Sequence, residues 1–263
     1  MKKNITRIAI AGAYGRMGIS LITTIQKHSD VSLTCALVKK KKNNATSKYN
    51  TNVITAENLE KIINDFDVLI DFSTTQCTLN NLKICESYKK NIIIGTTGFT
   101  NKELLIIQQS SKQIGIVFSA NFSIGVNIIF KLLKQAVKMI DNSYDIEILD
   151  SHHRNKLDSP SGTALTIGKI IAKHKNWNLK ECNEYRHPGS TNPRNKNKIG
   201  FSSIRGGNTI GEHKIMFLGN HEKISIEHQA NNRNTFSEGA IQAAKWVSNK
   251  KCGLFNMIDV LNI

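Results

Sequence analysis

From Ile5 to about Ala120 the chain alternates short apolar runs with segments of helical spacing, and few folds accept that order. "RIAIAG" is a compact apolar run that stops at glycine, and "RMGISLITTIQKH" follows with its apolar residues on one helical face. "VSLTCALV", "DVLIDF", "NIIIGTTG" and "IGIVFSA" repeat the first pattern, while "AENLEKIIND", "TLNNLKICESYKK" and "NKELLIIQQSSKQ" repeat the second. Strands that are apolar throughout must be buried on both faces, and helices between them supply the cover. The order predicts a doubly wound parallel α/β sheet.

After "NFSIGV" the character changes. A long helix, "VNIIFKLLKQAVKMI", precedes "YDIEILDSHH", which alternates with period two, and "TALTIGKIIAKH" is helical again. "IGFSSIRGG", "TIGEHKIMFLG" and "HEKISIEHQA" are further alternating runs punctuated by glycine, which predicts a mostly antiparallel open sheet with one exposed face. "FSEGAIQAAKWVSNK" is helical and is expected to return to the first domain. The expected division is a first, doubly wound domain over 1–122, completed by 234–263, and a second α+β domain over 123–233.

The first strand runs into "GAYGRMG", with Gly12, Gly15 and Gly18 spaced three apart. A tight turn from strand to helix lets backbone N–H groups approach a pyrophosphate, and the helix dipole attracts the anion. A strict G-x-G-x-x-G would place a glycine at Tyr14, so the loop alone is a weak signal, and a glycine-softened turn without ligand explains it equally well. Its place on the first strand of an alternating series, with Arg16 at the helix start, favours a Rossmann-like nucleotide site. Candidate contacts there are Gly12, Ala13, Tyr14, Gly15, Arg16 and Met17. Gly95, Thr96 and Thr97 end the fourth run, and Ser119, Ala120, Asn121 and Phe122 end the fifth, where ligands of open sheets bind. Ordinary loop chemistry is the alternative for both.

An acid at the end of the second strand would bond the adenosine ribose. Val38 stands there instead, followed by Lys39 and three more lysines. This predicts NADPH in preference to NADH, with a solvated lysine run as the plain alternative.

"SHHRNKLDSPSGTA" crowds His152, His153, Arg154 and Lys156 before a helix cap. The N–H groups of Gly162 and Thr163 open that helix and form a natural carboxylate cradle. The set suits a small dianion. A solvated basic loop and a structural role for either histidine are the competing explanations. Adjacent histidines without further ligands at metal spacing are poor evidence for a metal, and none is expected.

The formal charge of +16 raises the question of polyanions. Much of the excess lies in stretches such as "KKKKNNATSKYNTN", with no aromatic-interleaved basic stripe, so a nucleic-acid partner is not expected. The 5 cysteines form no C-x-x-C pair and read as thiols of a reducing cytoplasm. The N-terminal apolar run is too short for a signal peptide, and no segment reaches membrane-spanning length, so no membrane partner is expected.

"GAYGRMG", "GTTGF", "NFSIGVN", "SHHRNKLDSPSGTA" and "GEHKIMF" occur in an order that resembles the bacterial 4-hydroxy-tetrahydrodipicolinate reductases, also called dihydrodipicolinate reductases. The resemblance covers essentially the whole chain, and the histidine–lysine segment is its most specific part. It implies a step of diaminopimelate and lysine synthesis in which NADPH or NADH reduces a cyclic dicarboxylate, after loss of water, by hydride addition to a conjugated imine. Lys156 is then the implied general acid, and His152 the paired acid/base or polarising residue. His153, Gly162 and Thr163 would hold carboxylates, with Arg233 a further candidate, and a homotetramer would form through the second domain's sheet. Hydride addition puts electron density onto the C=N system, which a lysine cation can stabilise and protonate. Asn155, Val38 and Thr74 depart from the family's usual residues, the last two at positions that bear on the choice of nucleotide. A related dehydrogenase acting on aspartate or an open-chain diamino acid is the rival, and the Ser-Gly-Thr turn after the histidines argues against it.

Overall fold

Strand β1 (Thr6–Ala11) shows why the first half folds as it does: Ile8 and Ile10 enter one apolar layer, Ala9 and Ala11 the other, and all four are buried. In this computed structural model the described residues are 5–38, 54–56, 58–185 and 191–263. The chain divides into two compact units, Met1–Ile124 with Arg233–Ile263, and Gly125–Asn232.

In the first unit β1 is followed by helix α1 (Arg16–Ile25), β2 (Val31–Leu37), β3 (Ile54–Ala56) and β4 (Val68–Asp71). Then come α2 (Thr75–Ser87), β5 (Asn91–Ile94), α3 (Asn101–Ser110) and β6 (Gly115–Phe118). All pairings of this sheet are parallel, in the order β12-β6-β5-β4-β1-β2-β3, where β12 is Gly253–Phe255. Leu21 and Ile22 of α1, with Ala240, Ile241 and Ala244 of α7 (Asn234–Val247), cover one face; Leu82 and Cys85 of α2, with Ile107 of α3, lie in the other layer. Each fully buried isoleucine of these strands contributes roughly 1.5–3 kcal/mol of burial energy. A short helix, α8 (Met257–Leu261), ends the unit.

The helix expected over "AENLEKIIND" is only a single 3-10 turn, Leu59–Ile62. Ala56 belongs to β3, and the Asn58 side chain accepts the Glu60 N–H at 2.8 Å, so the turn begins late. The Asp67 N–H already bonds the Arg7 carbonyl at 2.9 Å, which leaves no room for an α-helix.

The second unit contains most of α4 (Ile124–Met139), β7 (Asp145–His152), α5 (Gly162–Lys175), α6 (Leu179–Cys182) and β8 (Asn183–Glu184). Strands β9 (Ile199–Arg205), β10 (Glu212–Leu218) and β11 (Lys223–Gln229) follow. Its sheet runs β11-β10-β7-β9-β8, and α4 and α5 pack their apolar stripes on one face. The expectation of a mostly antiparallel sheet needs correcting, because β10 pairs antiparallel with β7 and β11, while β9 pairs parallel with β7 and β8. The reason is connectivity: α5 lies between β7 and β9 in sequence, and a helical crossover brings the second strand back in the same direction.

Candidate active site

In the first unit β1 lies between β2 and β4, so the sheet's winding reverses there, and ligands of such sheets bind at the carboxyl ends beside that reversal. The loop after β1 fits a phosphate. Gly12 has φ +77°, and a Cβ on it would stand 2.8 Å from the Phe72 carbonyl oxygen. A Cβ on Gly18 would lie 2.3 Å from the Gly12 oxygen and 2.5 Å from that of Ala13, so α1 sits directly on its own loop. Gly15 caps α1 without a side-chain hydrogen bond, and no acid lies in the first turn, which leaves the helix start open to an anion. Gly18→Ala is expected to weaken binding of a nicotinamide nucleotide about tenfold, because overpacking of this kind costs about 1–3 kcal/mol and displaces the loop. A fluorescence titration checks it, and wild-type affinity would contradict the close-packed loop.

The other predicted nucleotide residues divide by exposure. Gly15, Arg16, Thr97 and Ala120 are exposed; Gly12, Tyr14, Met17, Gly95, Ser119 and Asn121 are partly so. Ala13, Thr96 and Phe122 turn their side chains inward. Ala13 donates its N–H to the Leu37 carbonyl at 3.3 Å, and the Thr96 hydroxyl accepts from that of Thr78 at 2.9 Å. Phe122 meets Phe72 edge-on, with ring centroids 5.5 Å apart. These three therefore support the loops with their side chains. Val38 is buried in the same layer as Ala13, and Lys39 lies outside the described residues. Thr74 caps α2, its hydroxyl accepting the Cys77 N–H.

Sequence reasoning missed Asp71, fully buried at the end of β4. It accepts from the Ser73 N–H and from Asn81, each at 2.9 Å, and so shapes the loop beside Gly12. Burial pushes its carboxyl above the usual range, against the pull of the Ser73 and Asn81 bonds.

In the second unit β7 ends in His152, and the chain loops back to the start of α5. His152 is buried, with Nδ1 3.0 Å from Oδ2 of Asp150, an ion-pair distance at an angle outside hydrogen-bond geometry. Asp150 is itself 1% exposed; the Ser203 hydroxyl donates to Oδ1, and Arg205 Nη2 lies 3.1 Å from Oδ2. Burial works against ionisation of Asp150, but His152, Ser203 and Arg205 outweigh it and hold the carboxyl well below its usual range. Arg205 Nη2 also donates to the Asp158 carbonyl at 2.8 Å, tying the loop to the sheet.

Lys156 Nζ lies 2.8 Å from Oδ1 of Asp158, and the Lys156 N–H bonds the His153 carbonyl at 3.1 Å. An incoming carboxylate must compete with Asp158 for that ammonium. Ser161 caps α5 by accepting the Ala164 N–H at 3.2 Å; Gly162 is exposed, and His153 and Thr163 are half-buried. His213 lies beneath this turn, its Nε2 3.2 Å from the Ser161 hydroxyl and its ring 5.2 Å from that of His152. Burial, with the nearby His152, pushes its pKa down to about 3, so the ring is neutral near pH 7. Asp150, His152, Lys156 and His228 all act on its charge, so Lys156 and His152 share one electrostatic neighbourhood. Arg233 belongs to the first unit, before α7, where its carbonyl accepts the Phe236 N–H at 3.0 Å.

A doubly wound sheet with an open glycine loop at its switch point places the first unit in the Rossmann-type class, an architecture that nicotinamide-dependent oxidoreductases share. Residues 6–122 match the N-terminal part of dihydrodipicolinate reductase and residues 125–261 its C-terminal part. The chain belongs to the dihydrodipicolinate reductase family. It is 48% identical over 274 residues to the 4-hydroxy-tetrahydrodipicolinate reductase of Buchnera aphidicola subsp. Schizaphis graminum, covering 99% of this chain and 98% of the relative. It is also 48% identical over 272 residues to that of Buchnera aphidicola subsp. Baizongia pistaciae, with both chains covered completely (100%). Among solved structures it resembles a dipicolinate-bound dihydrodipicolinate reductase from Paenisporosarcina sp. TG-14, at 26% identity and TM-score 0.78, covering 97% of this chain and 98% of that one.

Proposed function

We propose that this chain reduces 4-hydroxy-tetrahydrodipicolinate, by way of dihydrodipicolinate, to tetrahydrodipicolinate in diaminopimelate and lysine synthesis. The observation that carries the reading is the basic turn of the second unit: Lys156 beside Asp158, His152 on its buried carboxylate, and the Ser161-Gly162-Thr163 start of α5. A reduced nicotinamide supplies the hydride when bound, and Gly12, Gly15 and Arg16 are the residues suited to hold its phosphates. Lys156 acts as general acid, stabilising charge that develops on the conjugated imine and delivering the proton that completes reduction. His152 polarises the substrate or shares the proton, while His153, Gly162 and Thr163 grip carboxylates. Arg233 is a further candidate for that grip.

NADPH is the preferred nucleotide in this reading. Val38 offers no carboxylate to a ribose hydroxyl, and its side chain is buried; Lys39, next along, suits a 2′-phosphate. The enzyme works in the cytoplasm as a homotetramer built on the second sheet, whose outer face leaves Glu147, Leu149, Lys214 and Met216 partly exposed. Among the described residues no helix is long and apolar enough to cross a membrane.

A coupled assay tests both parts. Aspartate semialdehyde, pyruvate and the upstream synthase generate the substrate, and loss of nicotinamide absorbance is followed with each nucleotide. Turnover is expected with both, with kcat/KM at least about tenfold higher for NADPH at low salt, the order expected for one charge-assisted contact. Comparable values at moderate salt would remove the NADPH preference, and no turnover with either nucleotide would remove the function.

A further inference from the structure

His213 lies outside the basic turn, on β10, yet it meets that turn at the His152 ring and, through one polar contact, at Ser161. Its Nε2 is 3.2 Å from the Ser161 hydroxyl, and the residue is 5% exposed. A serine hydroxyl has two lone pairs and one proton. One lone pair of Ser161 accepts the Ala164 N–H as the cap of α5. The histidine decides where the proton goes.

Two arrangements are open to a neutral ring. If Nε2 is bare, Ser161 donates into it and has no proton left for a ligand. If Nε2 carries the hydrogen, it fills the second lone pair of Ser161, itself 2% exposed, and the hydroxyl proton is left for a third partner. The other ring nitrogen selects between them. His213 Nδ1 is buried and finds no hydrogen-bond partner among the described residues. Placing the ring hydrogen there would bury an unmatched N–H, which folded proteins avoid more strictly than an unmatched acceptor.

We infer that His213 is a positioning residue: its Nε2–H saturates the Ser161 oxygen and leaves that hydroxyl to donate to a substrate carboxylate bound at the start of α5. The inference rests on the dicarboxylate reading above and adds to it a residue of β10 and a defined tautomer. The charged and titratable groups around His213 are His152 and Asp150 on β7, His228 directly opposite on β11, and Lys156 in the turn. The ring nevertheless stays neutral, because burial opposes its protonation. It therefore has a single N–H to place.

The test is a double-mutant cycle read as affinity for dipicolinate, with the full-length protein saturated with reduced nucleotide. His213→Leu keeps bulk and removes the donor; it is expected to weaken dipicolinate about tenfold, the value of one hydrogen bond to a charged group, with nucleotide affinity unchanged. His213→Gln restores an N–H at the ε position and is expected to recover most of that loss. In a Ser161→Ala background His213→Leu is expected to cost nothing further. Additive losses, or equal damage by leucine and glutamine, would overturn the inference. Nitrogen-15 NMR of the unsubstituted protein is an independent arm that needs no variant to fold: His213 must show hydrogen on Nε2 between pH 5 and 8, and hydrogen on Nδ1 sinks the inference outright. If the unsubstituted protein fails to bind dipicolinate, the dicarboxylate reading falls, and the tautomer still decides the role of His213.

Discussion

Lys156→Ala is expected to lower kcat by about 10²–10⁴, the usual worth of a positioned general acid, while nucleotide affinity stays within about twofold. The fold should hardly notice. The Lys156–Asp158 ion pair is partly exposed, 24% and 55% at the two side chains, and such pairs contribute about 1 kcal/mol or less. The turn is held by other means: the Lys156 N–H bonds the His153 carbonyl, Arg205 grips the Asp158 carbonyl, and Ser161 caps α5. What alanine removes is the cation. If the ammonium only anchored a carboxylate, KM would rise and kcat would survive; if it delivers the proton, kcat and kcat/KM fall together. Steady-state kinetics on the coupled substrate separates the two. Turnover within a few-fold of wild type would end the assignment.

The basic turn was legible because its parts are local. His152, His153, Lys156 and the Ser-Gly-Thr cap lie within one short stretch, and spacing alone brings them to one end of α5. The strands of the first sheet were legible for a similar reason: "RIAIAG" and "NIII" are apolar on both faces, and only a doubly covered sheet accommodates that. The short edges were not. Strands β3 and β12 carry three residues each and hold their places by pairing, without any period of their own. The two parallel pairings of the second sheet escaped because alternation reports which face is buried and says nothing of strand direction.

The support beneath the turn was hidden for a deeper reason. Ser203, Asp150, His213 and His228 form one row across β9, β7, β10 and β11, and Arg205 stands opposite His152. Strand register assembles that row from distant parts of the chain. A trace of it was readable all the same. Along β7 the inward positions run Ile146, Ile148, Asp150, His152, and along β10 they run Phe217, Ile215, His213. In both strands the buried phase turns polar at the end nearest the turn. A carboxylate in the buried phase of a strand must find a partner, and that demand points to a site.

Asp150 is where removal of one such group should matter most for stability. Asp150→Ala is expected to destabilise the protein by about 3–5 kcal/mol, the cost of stranding one member of a buried ion pair. Arg205 would keep its carbonyl contacts but lose its counter-charge, and the Ser203 hydroxyl would lose its acceptor. Asp150→Asn separates charge from shape, since the amide can still accept from Ser203. The pH dependence has a definite sign. The folded state holds the Asp150 carboxyl below its ordinary value, so the unfolded chain takes up the proton first as pH falls. The stabilisation is therefore complete above the ordinary carboxylate pKa of about 4 and is lost progressively below it. Urea unfolding at neutral pH and again near pH 3 should show the gap between wild type and Asp150→Asn closing in acid. The same substitution leaves His152 without its anion, so kcat should fall even where the protein remains folded, with nucleotide affinity unchanged. An asparagine variant as stable as wild type at neutral pH would mean that Arg205 is neutralised from elsewhere, and that the carboxylate beneath His152 does not hold the turn in place.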